Sequence, residues 1–390
     1  MKNKSLVLFI SLLTYASCNS NKEVLTVDIN FSNISNGAFS DYYSLEQMIP
    51  LETTDSSVFD CDYVDEYIFS DNKIYVGVDE SKDIKVFNTQ GKYLHAINRS
   101  GNGPQEYGPE YRSLCLVDSS LLVRNYNAEM IYYDLKGNFI RKLKQPLSVW
   151  SNQVGVLPDG NLIANQELNG LTAYTHDSVL SKTPYYSVQI YSSQGKLLKN
   201  LLERPKFSTN LYIAGRGKGG YYDGNKFWLA PYVDNHIYAY QSKDTSLYPL
   251  FRIKIAGASF ESDLNLLKNP KTARKFVNRI GSYDLVAVTK NYLLVNLIGN
   301  EKNRYVGLIE KKTGKTELFN KNNNQDRVNR ISMNEIVPSN LYGKIIVQIG
   351  YAQLTDKEGK LKESPFIKEL SKYIHINEDM NPVLCIYKEK

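Results

Sequence analysis

The segment NRSGNGPQEYG at residues 98–108 contains glycines, a proline and a carboxylate, the residue types of loops that bind phosphate. A dinucleotide-binding fingerprint would need a glycine three residues after Gly103, where this chain has Glu106, and a helix directly behind the loop. The residues that follow, YGPEYRSLCLVDSS, have the pattern of a strand, so no helix dipole would face a phosphate. The segment is therefore predicted to be a turn that links two strands. Its backbone is expected to be set by Gly101, Gly103, Pro104 and Gly108.

Motifs for catalysis and metal binding are absent from the sequence. There is no GxSxG nucleophile elbow, no HExxH zinc motif and no CxxC pair, and the four histidines are far apart. The acidic run DSSVFDCDYVDE at residues 55–66 lacks the glycine and the carboxylate spacing of a calcium loop, so it is predicted to be solvated charge. We expect no cofactor and no metal. A metal site assembled from distant parts of the chain would leave no motif, so this alternative stays open.

Aromatic and basic side chains in polar segments are the best candidates for ligand contacts. The segment GRGKGG at residues 215–220 places Arg216 and Lys218 on flexible backbone, which suits a carboxylate, sulfate or phosphate. Tyr107, Arg112 and Trp150 add an aromatic surface with a guanidinium, which suits a sugar or an acidic oligosaccharide. The alternatives are a solvated loop at 215–220 and a buried Trp150 between packed sheets.

The composition is that of a globular protein rich in strands. The 390 residues are 42% hydrophobic and 23% charged, and they include 30 tyrosines against 14 phenylalanines. Tyrosine suits half-buried strands, and exposed tyrosines that stack on sugars are the alternative explanation. The net charge of +6 is small and evenly spread, which argues against a nucleic-acid partner.

Residues 1–17 have the features of an export signal. Lys2 and Lys4 precede an apolar run that is too short to span a bilayer, and small residues follow it. The signal ends in Ala-Ser-Cys, which resembles the bacterial lipobox, although Tyr15 departs from the usual residue at its position. By this resemblance Cys18 carries a lipid anchor, residues 18–23 form a tether, and the residue after Cys18, which is not Asp, favours the outer membrane. A secretory signal that happens to contain a cysteine is the alternative.

Three cysteines remain after Cys18, namely Cys61, Cys115 and Cys385. They are scattered among segments that have strand patterns, without the spacing of a metal site. One disulfide is possible, and buried free thiols are the preferred interpretation.

One hairpin pattern recurs along the chain. IKVFNTQGKYLHAI from residue 84, MIYYDLKGNFIRKL from residue 130 and VQIYSSQGKLLKNL from residue 188 each alternate apolar and polar residues on both sides of a glycine. Looser copies begin at residues 236 and 305. A hairpin turn of this kind needs a positive φ, which glycine supplies. The turn glycines are predicted to be Gly91, Gly137, Gly195 and Gly314.

A short polar turn and a strongly apolar strand precede each hairpin, as in DNKIYVGV, DSSLLVRN and YGKIIVQIG. These elements recur six times, 40–66 residues apart, which predicts an all-β, six-bladed propeller in one domain at residues 24–390. Seven blades or a split repeat are the alternatives. The last strand, NPVLCIYKEK, has no hairpin partner, so VLTVDINF or MIPLET from the N-terminal region is expected to complete the final blade and close the ring.

Several motifs together resemble the six-bladed β-propeller lipoproteins of the Bacteroidetes, which are NHL-like and TolB-like proteins largely of unassigned function. The motifs are the lipobox, IPLETTDSS at 49–57, GNGPQEY at 101–107 and EDMNPVLCIYK at 378–388. The resemblance covers essentially the whole mature chain. It implies a propeller on the bacterial cell envelope, and it implies no particular reaction.

The longest segments between strands are expected at one end of the ring, since crossings between blades and connections between second and third strands share one face. FESDLNLLKNPKTARKFVNRI and SPFIKELSKYI have helical spacing and could be short lids or plain packing over the ring. Binding usually resides on such loops, so we expect a glycan, peptide or protein ligand there, in contact with some of the candidate side chains. A metal-dependent propeller hydrolase or lactonase and a structural subunit of an envelope complex are the alternatives.

The lipobox resemblance predicts that the anchor depends on one thiol. We expect Cys18→Ala to release the protein from the membrane fraction and to abolish labelling by a fatty acid. Retention of the variant in membranes would contradict the assignment.

Overall fold

The computed structural model describes residues 24–78, 81–125, 129–144, 153–165, 185–204, 220–231, 234–257, 283–298, 304–320, 325–332 and 335–390. These residues form six β-sheets arranged as the blades of a six-bladed β-propeller, together with one separate two-stranded hairpin. The predicted fold class is therefore confirmed. Within the described ranges, no helix is long and apolar enough to cross a membrane.

The N-terminal region contributes two strands to blades that are otherwise built from later residues. These are β1 (Leu25–Ile29) and β2 (Tyr43–Pro50), with a 3₁₀ helix (Phe39–Asp41) between them. A second 3₁₀ helix (Cys61–Tyr63) leads into the first blade.

Blades 1 to 3 each have four antiparallel strands in chain order. Blade 1 comprises β3 (Val64–Ser70), β4 (Lys73–Val78), β5 (Asp83–Asn88) and β6 (Tyr93–Asn98). Blade 2 comprises β7 (Tyr111–Val117), β8 (Ser120–Asn125), β9 (Glu129–Asp134) and β10 (Phe139–Lys144). Blade 3 comprises β11 (Gln153–Val156), β12 (Leu162–Asn165), β13 (Tyr185–Tyr191) and β14 (Leu197–Arg204).

Blades 4 and 5 repeat the arrangement. Blade 4 comprises β15 (Tyr221–Tyr222), β16 (Phe227–Leu229), β17 (His236–Gln241) and β18 (Ser246–Ile255). Blade 5 comprises β19 (Tyr283–Val288), β20 (Tyr292–Ile298), β21 (Arg304–Glu310) and β22 (Thr316–Asn320). The separate hairpin, β23 (Gln325–Asp326) and β24 (Ile331–Ser332), follows blade 5.

Blade 6 is shared between the two ends of the chain. Its first three strands are β25 (Ile336–Val337), β26 (Lys344–Ile349) and β27 (Val383–Glu389), and its outer strand is β2. The connection between β26 and β27 carries the helices α1 (Tyr351–Leu354) and α2 (Pro365–Leu370). SPFIKELSKYI therefore contains a helix as predicted, whereas the other helical candidate, at 260–280, lies outside the described residues.

Ring closure selects MIPLET over VLTVDINF as the partner of the final strand. β2 pairs with β27 in antiparallel register from Tyr43 opposite Glu389 to Pro50 opposite Val383. The other candidate, β1, instead adds a fifth strand to blade 4, parallel to β18. Because β27 then has a partner on each side, blade 6 has no missing strand.

Contacts between blades 6 and 1 complete the ring. The Asn340 side chain accepts a hydrogen bond from the backbone N–H of Phe69 at 2.7 Å and donates one to the Phe69 carbonyl at 2.9 Å. The backbone N–H of Tyr67 also donates to the Pro338 carbonyl. The innermost strand of the first blade is thus held by the last blade.

Glycine turns let the blades approach each other closely. The four predicted turn glycines all have positive φ, between 74° and 85°. A Cβ on Gly91 would lie 2.0 Å from the Pro50 carbonyl oxygen, so a larger residue would collide with the backbone at the end of β2. Glycine therefore supplies both the turn and the space at this position.

Apolar residues of neighbouring blades form six buried clusters in the described part of the chain, one at each blade interface. Buried tyrosines add hydrogen bonds between blades. Tyr75 of blade 1 donates to the Leu135 carbonyl of blade 2 at 3.1 Å, and Tyr132 of blade 2 donates to the Ser193 carbonyl of blade 3 at 3.2 Å. Packing between strands accounts for these tyrosines.

The chain order fixes what lies at each end of the ring. Turns between first and second strands and between third and fourth strands lie at one end, which we call the turn face. Crossings between blades and connections between second and third strands lie at the other end, which we call the loop face.

The N-terminal residues 25–42, which we call the strap, lie against the outer edges of three blades. β1 pairs with β18 of blade 4, and the Ser35 N–H then donates to the Leu318 carbonyl of blade 5 at 2.7 Å. Phe39 stacks on Tyr43 at the start of β2 in blade 6, with ring centroids 4.5 Å apart. The strap thereby ties blades 4, 5 and 6 together.

Deleting residues 381–390 should prevent cooperative folding, because β27 pairs with a strand on each side. We expect its loss to cost a free energy comparable to the whole free energy of unfolding of a typical domain, about 5–15 kcal/mol. A chain that begins at residue 30 is the matched comparison, since it loses only the edge strand β1. We expect that chain to keep a cooperative thermal transition at lower temperature. If the C-terminal truncation melted within a few degrees of the full chain, the shared blade would be wrong.

Candidate functional site

A central channel runs between the inner strands of the six blades. It contains about 820 Å³ of space not filled by protein atoms, including space open to solvent. Every inner strand contributes to its wall, for example through Glu66, Cys115, Val154, Tyr221, Ala287 and Val337. Most of these side chains are buried and apolar, so the channel combines an apolar wall with a few polar groups, as ligand sites commonly do.

Two tyrosines stand where the channel reaches the turn face. Tyr222 of blade 4 and Tyr342 of blade 6 pack edge to face, with ring centroids 5.2 Å apart and an interplanar angle of 89°. The Tyr222 hydroxyl donates to the Gly224 carbonyl at 2.9 Å, which fixes that ring. Tyr342 is 62% exposed and offers its ring to solvent. Such a pair can stack on a sugar or an apolar group.

An ion pair beside this opening joins blades 4 and 5. Lys311 Nζ lies 2.6 Å from Asp223 Oδ2, to which Trp228 Nε1 also donates, at 2.7 Å. Burial acts to raise the pKa of Asp223, but the hydrogen bonds from Lys311, Trp228 and nearby backbone N–H groups outweigh it, so the pKa is lowered. The pKa of Lys311 is lowered, because burial disfavours the charged ammonium by more than the nearby Asp223 carboxylate stabilises it. The pair therefore serves mainly to fix geometry.

On the loop face, blade 4 carries a histidine held by a buried carboxylate. Asp234 Oδ1 lies 3.0 Å from His236 Nδ1, and Asp234 Oδ2 accepts from the Tyr238 hydroxyl at 2.9 Å. The Tyr283 hydroxyl of blade 5 donates to the Asp234 carbonyl at 2.8 Å. Asp234 is 3% exposed and the His236 side chain 29%, so a positioned imidazole reaches the surface.

Sequence reasoning missed the histidine held by Asp234 and the pair of tyrosines at the channel opening. The polar residues of DNHIYAY alternate at Asp234, His236 and Tyr238, which places them on one side of a strand, and that period of two was the available signal. No signal of this kind could link Tyr222 to Tyr342, which are distant in the chain and belong to different blades.

Tyr107 is not a ligand contact, which corrects the prediction. Its side chain is fully buried, and its hydroxyl accepts from the Arg99 N–H at 3.1 Å and donates to the Lys82 carbonyl. Burial raises its pKa to about 12. The ring packs against Tyr111 and Tyr133 in the interface between blades 1 and 2, so it presents no surface to a ligand.

The other predicted ligand residues are not tested by the described contacts. Arg112 belongs to β7, and its side chain lies outside the described part of the structure. Trp150, Arg216, Lys218 and the lipidation candidate Cys18 lie outside the described residues altogether.

The segment 98–108 links β6 of blade 1 to β7 of blade 2. Gly101 and Gly108 have φ values of 149° and 93°, and the Gly101 N–H donates to the Gly108 carbonyl at 2.8 Å. The Glu106 carboxylate accepts from the Gly103 N–H at 2.6 Å. The loop thus uses its own carboxylate where a phosphate-binding loop would hold its ligand.

The described residues contain no group of three or more His, Cys, Asp or Glu side chains that could hold a metal ion. In the acidic run 55–66, Asp60 caps a 3₁₀ helix by accepting from the Asp62 N–H at 2.9 Å. Cys385 is a buried free thiol, as preferred from the sequence, whereas Cys61 is a free thiol that is only partly buried. Burial raises the pKa of the Cys61 and Cys385 thiols, so neither is an activated nucleophile.

Comparison with known proteins places the chain in a family. The sequence profile of a domain of unknown function, DUF4934, matches residues 23–388. The chain belongs to this family. No curated protein is detectably similar in sequence.

Two solved structures are similar to this chain over most of its length. One is a Bacteroides fragilis protein assigned as an exported protein, with 19% identity, coverage of 94% of this chain and 99% of that one, and a TM-score of 0.75. The other is a DUF4221 family member from Bacteroides vulgatus, with 10% identity, coverage of 89% and 98%, and a TM-score of 0.48. At this level of identity the first likeness shows the fold alone.

Replacing Tyr107 with phenylalanine should destabilise the protein by about 1–3 kcal/mol, because the Arg99 N–H and the Lys82 carbonyl would lose their partner in a buried site. Urea unfolding measures this difference in the free energy of unfolding. Tyr63→Phe is the matched control, since Tyr63 is 53% exposed. Equal stability of the two variants would contradict the buried role of Tyr107.

Proposed function

We propose that this protein is an exported lipoprotein of the bacterial outer membrane, and that its propeller binds a glycan, a peptide or a partner protein. Cys18 carries the lipid anchor in this proposal, and residues 18–23 form the tether. The assignment as an exported protein of the Bacteroides fragilis structure supports export. The proposal keeps the resemblance to NHL-like and TolB-like propellers.

The observation that carries the proposal is the difference in length between the connections at the two ends of the ring. On the turn face, blade 2 reverses direction within two residues, between Val117 and Ser120, and again within four residues, between Asp134 and Phe139. On the loop face, the crossing from blade 1 to blade 2 spans residues 99–110, and the connection within blade 6 spans residues 350–382. Long connections on a rigid scaffold are the usual place for recognition.

The polar group on blade 4 supplies hydrogen-bonding chemistry at that end of the ring. His236 is oriented by Asp234, so the imidazole can meet a ligand without the entropy cost of fixing a mobile side chain. Arg216 and Lys218 lie in the chain between β14 and β15, outside the described residues, and in this proposal they add positive charge to the site. An oriented imidazole together with a guanidinium suits an acidic sugar or a carboxylate.

A glycan and peptide array tests the proposal with the mature protein and the variants Trp150→Ala and Arg216→Ala. We expect each variant to weaken binding about thirtyfold, equivalent to about 2 kcal/mol for a residue at the centre of a binding site. Tyr342→Ala is the matched control, because it removes an exposed aromatic ring from the opposite face.

Binding that survives both loop-face substitutions but is lost in Tyr342→Ala would move the site to the channel opening. An array without any bound ligand would favour a structural subunit of an envelope complex.

A further inference from the structure

The turn face carries a ring of exposed lysines. Each hairpin between third and fourth strands in blades 1 to 5 has at least one lysine in its turn, and in most of them a lysine is next to the turn glycine. All of these side chains are exposed. They are Lys92, Lys136, Lys196, Lys243, Lys312 and Lys315.

Carboxylates on the same face are mostly closer to the channel. Asp71, Asp118 and Asp159 are exposed, and they belong to turns between first and second strands, which lie inside the lysine ring. Among the lysine turns, only the turn of blade 4 has an exposed carboxylate, Asp244. Positive charge is therefore concentrated at the rim of the turn face on blades 1 to 5, whereas on blade 6 the exposed Glu46 pairs with Lys344 and Lys388.

On blades 1 to 3, an exposed aliphatic side chain follows the turn lysine within a few residues. Leu94, Ile140 and Leu198 are 42%, 49% and 46% exposed. In each of these blades the pairing register shifts at the aliphatic residue, which is therefore the extra residue of a β-bulge. It lies three positions after the turn glycine. A bulge re-aims its side chain, and here it turns an apolar group outward close to the turn face.

The described chain begins beside the same lysines. A Cβ on Gly314, in the turn that contains Lys312 and Lys315, would lie 3.6 Å from the Leu25 side chain and 3.1 Å from the Thr26 carbonyl oxygen. β1 runs parallel to β18, which leads from the turn face to the loop face, so the first residue of β1, Leu25, is the one nearer to the turn face. The few residues between Cys18 and Val24 span roughly 20 Å even when fully extended.

We propose that the turn face docks on an anionic membrane surface, with the lysine ring against headgroup phosphates and Leu94, Ile140 and Leu198 in shallow contact with the lipid. The proposal deepens the proposed function, since a lipid on Cys18 would hold this face at the membrane. It orients the loop face and its ligand site away from the bilayer. A polybasic surface adds electrostatic attraction to anionic lipids, which acts together with a lipid anchor.

The test uses residues 19–390 without a lipid, a chain that contains all the described strands and helices. Co-sedimentation with vesicles of phosphatidylcholine alone and with added phosphatidylglycerol compares neutral and anionic surfaces. We expect binding to the anionic vesicles only, and binding should weaken as salt is added. The variant with Lys243→Gln, Lys312→Gln and Lys315→Gln should bind roughly a hundredfold more weakly, since each surface lysine contributes roughly fivefold.

The matched control changes three exposed lysines of the loop face, Lys357→Gln, Lys360→Gln and Lys368→Gln, and should leave vesicle binding unchanged. Leu94→Ser, Ile140→Ser and Leu198→Ser together should weaken binding while its salt dependence persists. Equal losses in the two lysine variants, equal binding to neutral vesicles or no vesicle binding would overturn the proposal. Binding to heparin without binding to vesicles would also overturn it, in favour of a soluble polyanion. None of these outcomes depends on whether Cys18 is lipidated or on which ligand the loop face binds.

Discussion

Pairing of β2 with β27 is the constraint on which the rest of this structure depends. A propeller blade buries both faces only when it has a blade on each side, so an open ring would expose the apolar surfaces of two blades at once. β27 lies between β26 and β2, and this places the end of the chain inside a sheet whose outer strand comes from the beginning. Asn340 and Phe69 then connect this blade to the first one. The loop face and the channel keep their geometry only because this closure holds.

The outer edges of the blades are protected in two different ways. Blades 4, 5 and 6 are covered or completed by the strap and β2, which follow the rim of the ring. Blades 1, 2 and 3 have no such cover among the described residues, and their outer strands carry a bulge instead. A bulge interrupts the regular row of backbone donors and acceptors, which discourages pairing with another chain. The same bulges expose the aliphatic side chains that we assign to the membrane.

The chain order makes the two ends of the ring unlike each other. Tight turns need small and polar residues, and their regular repetition produces a flat, charged end. Crossings between blades carry no such restriction, so they can lengthen without disturbing the ring. The proposed lipid anchor and the proposed ligand site use these two unlike ends, and they can be tested separately.

The repeated glycine turns and apolar strands were sufficient to predict six blades, because each blade is a local unit whose pattern appears in consecutive residues. The same local reasoning identified the linker at 98–108 and the helix at SPFIKELSKYI. It could not choose between VLTVDINF and MIPLET, since both have strand patterns and only the position of each in the ring distinguishes them. It wrongly assigned Tyr107 to a ligand site. The burial of Tyr107 depends on the neighbouring blade, whose Tyr133 packs against it, and local sequence patterns do not show this contact. The pairing of Tyr222 with Tyr342 was likewise decided by tertiary structure, because ring closure alone brings the fourth and sixth blades to one opening.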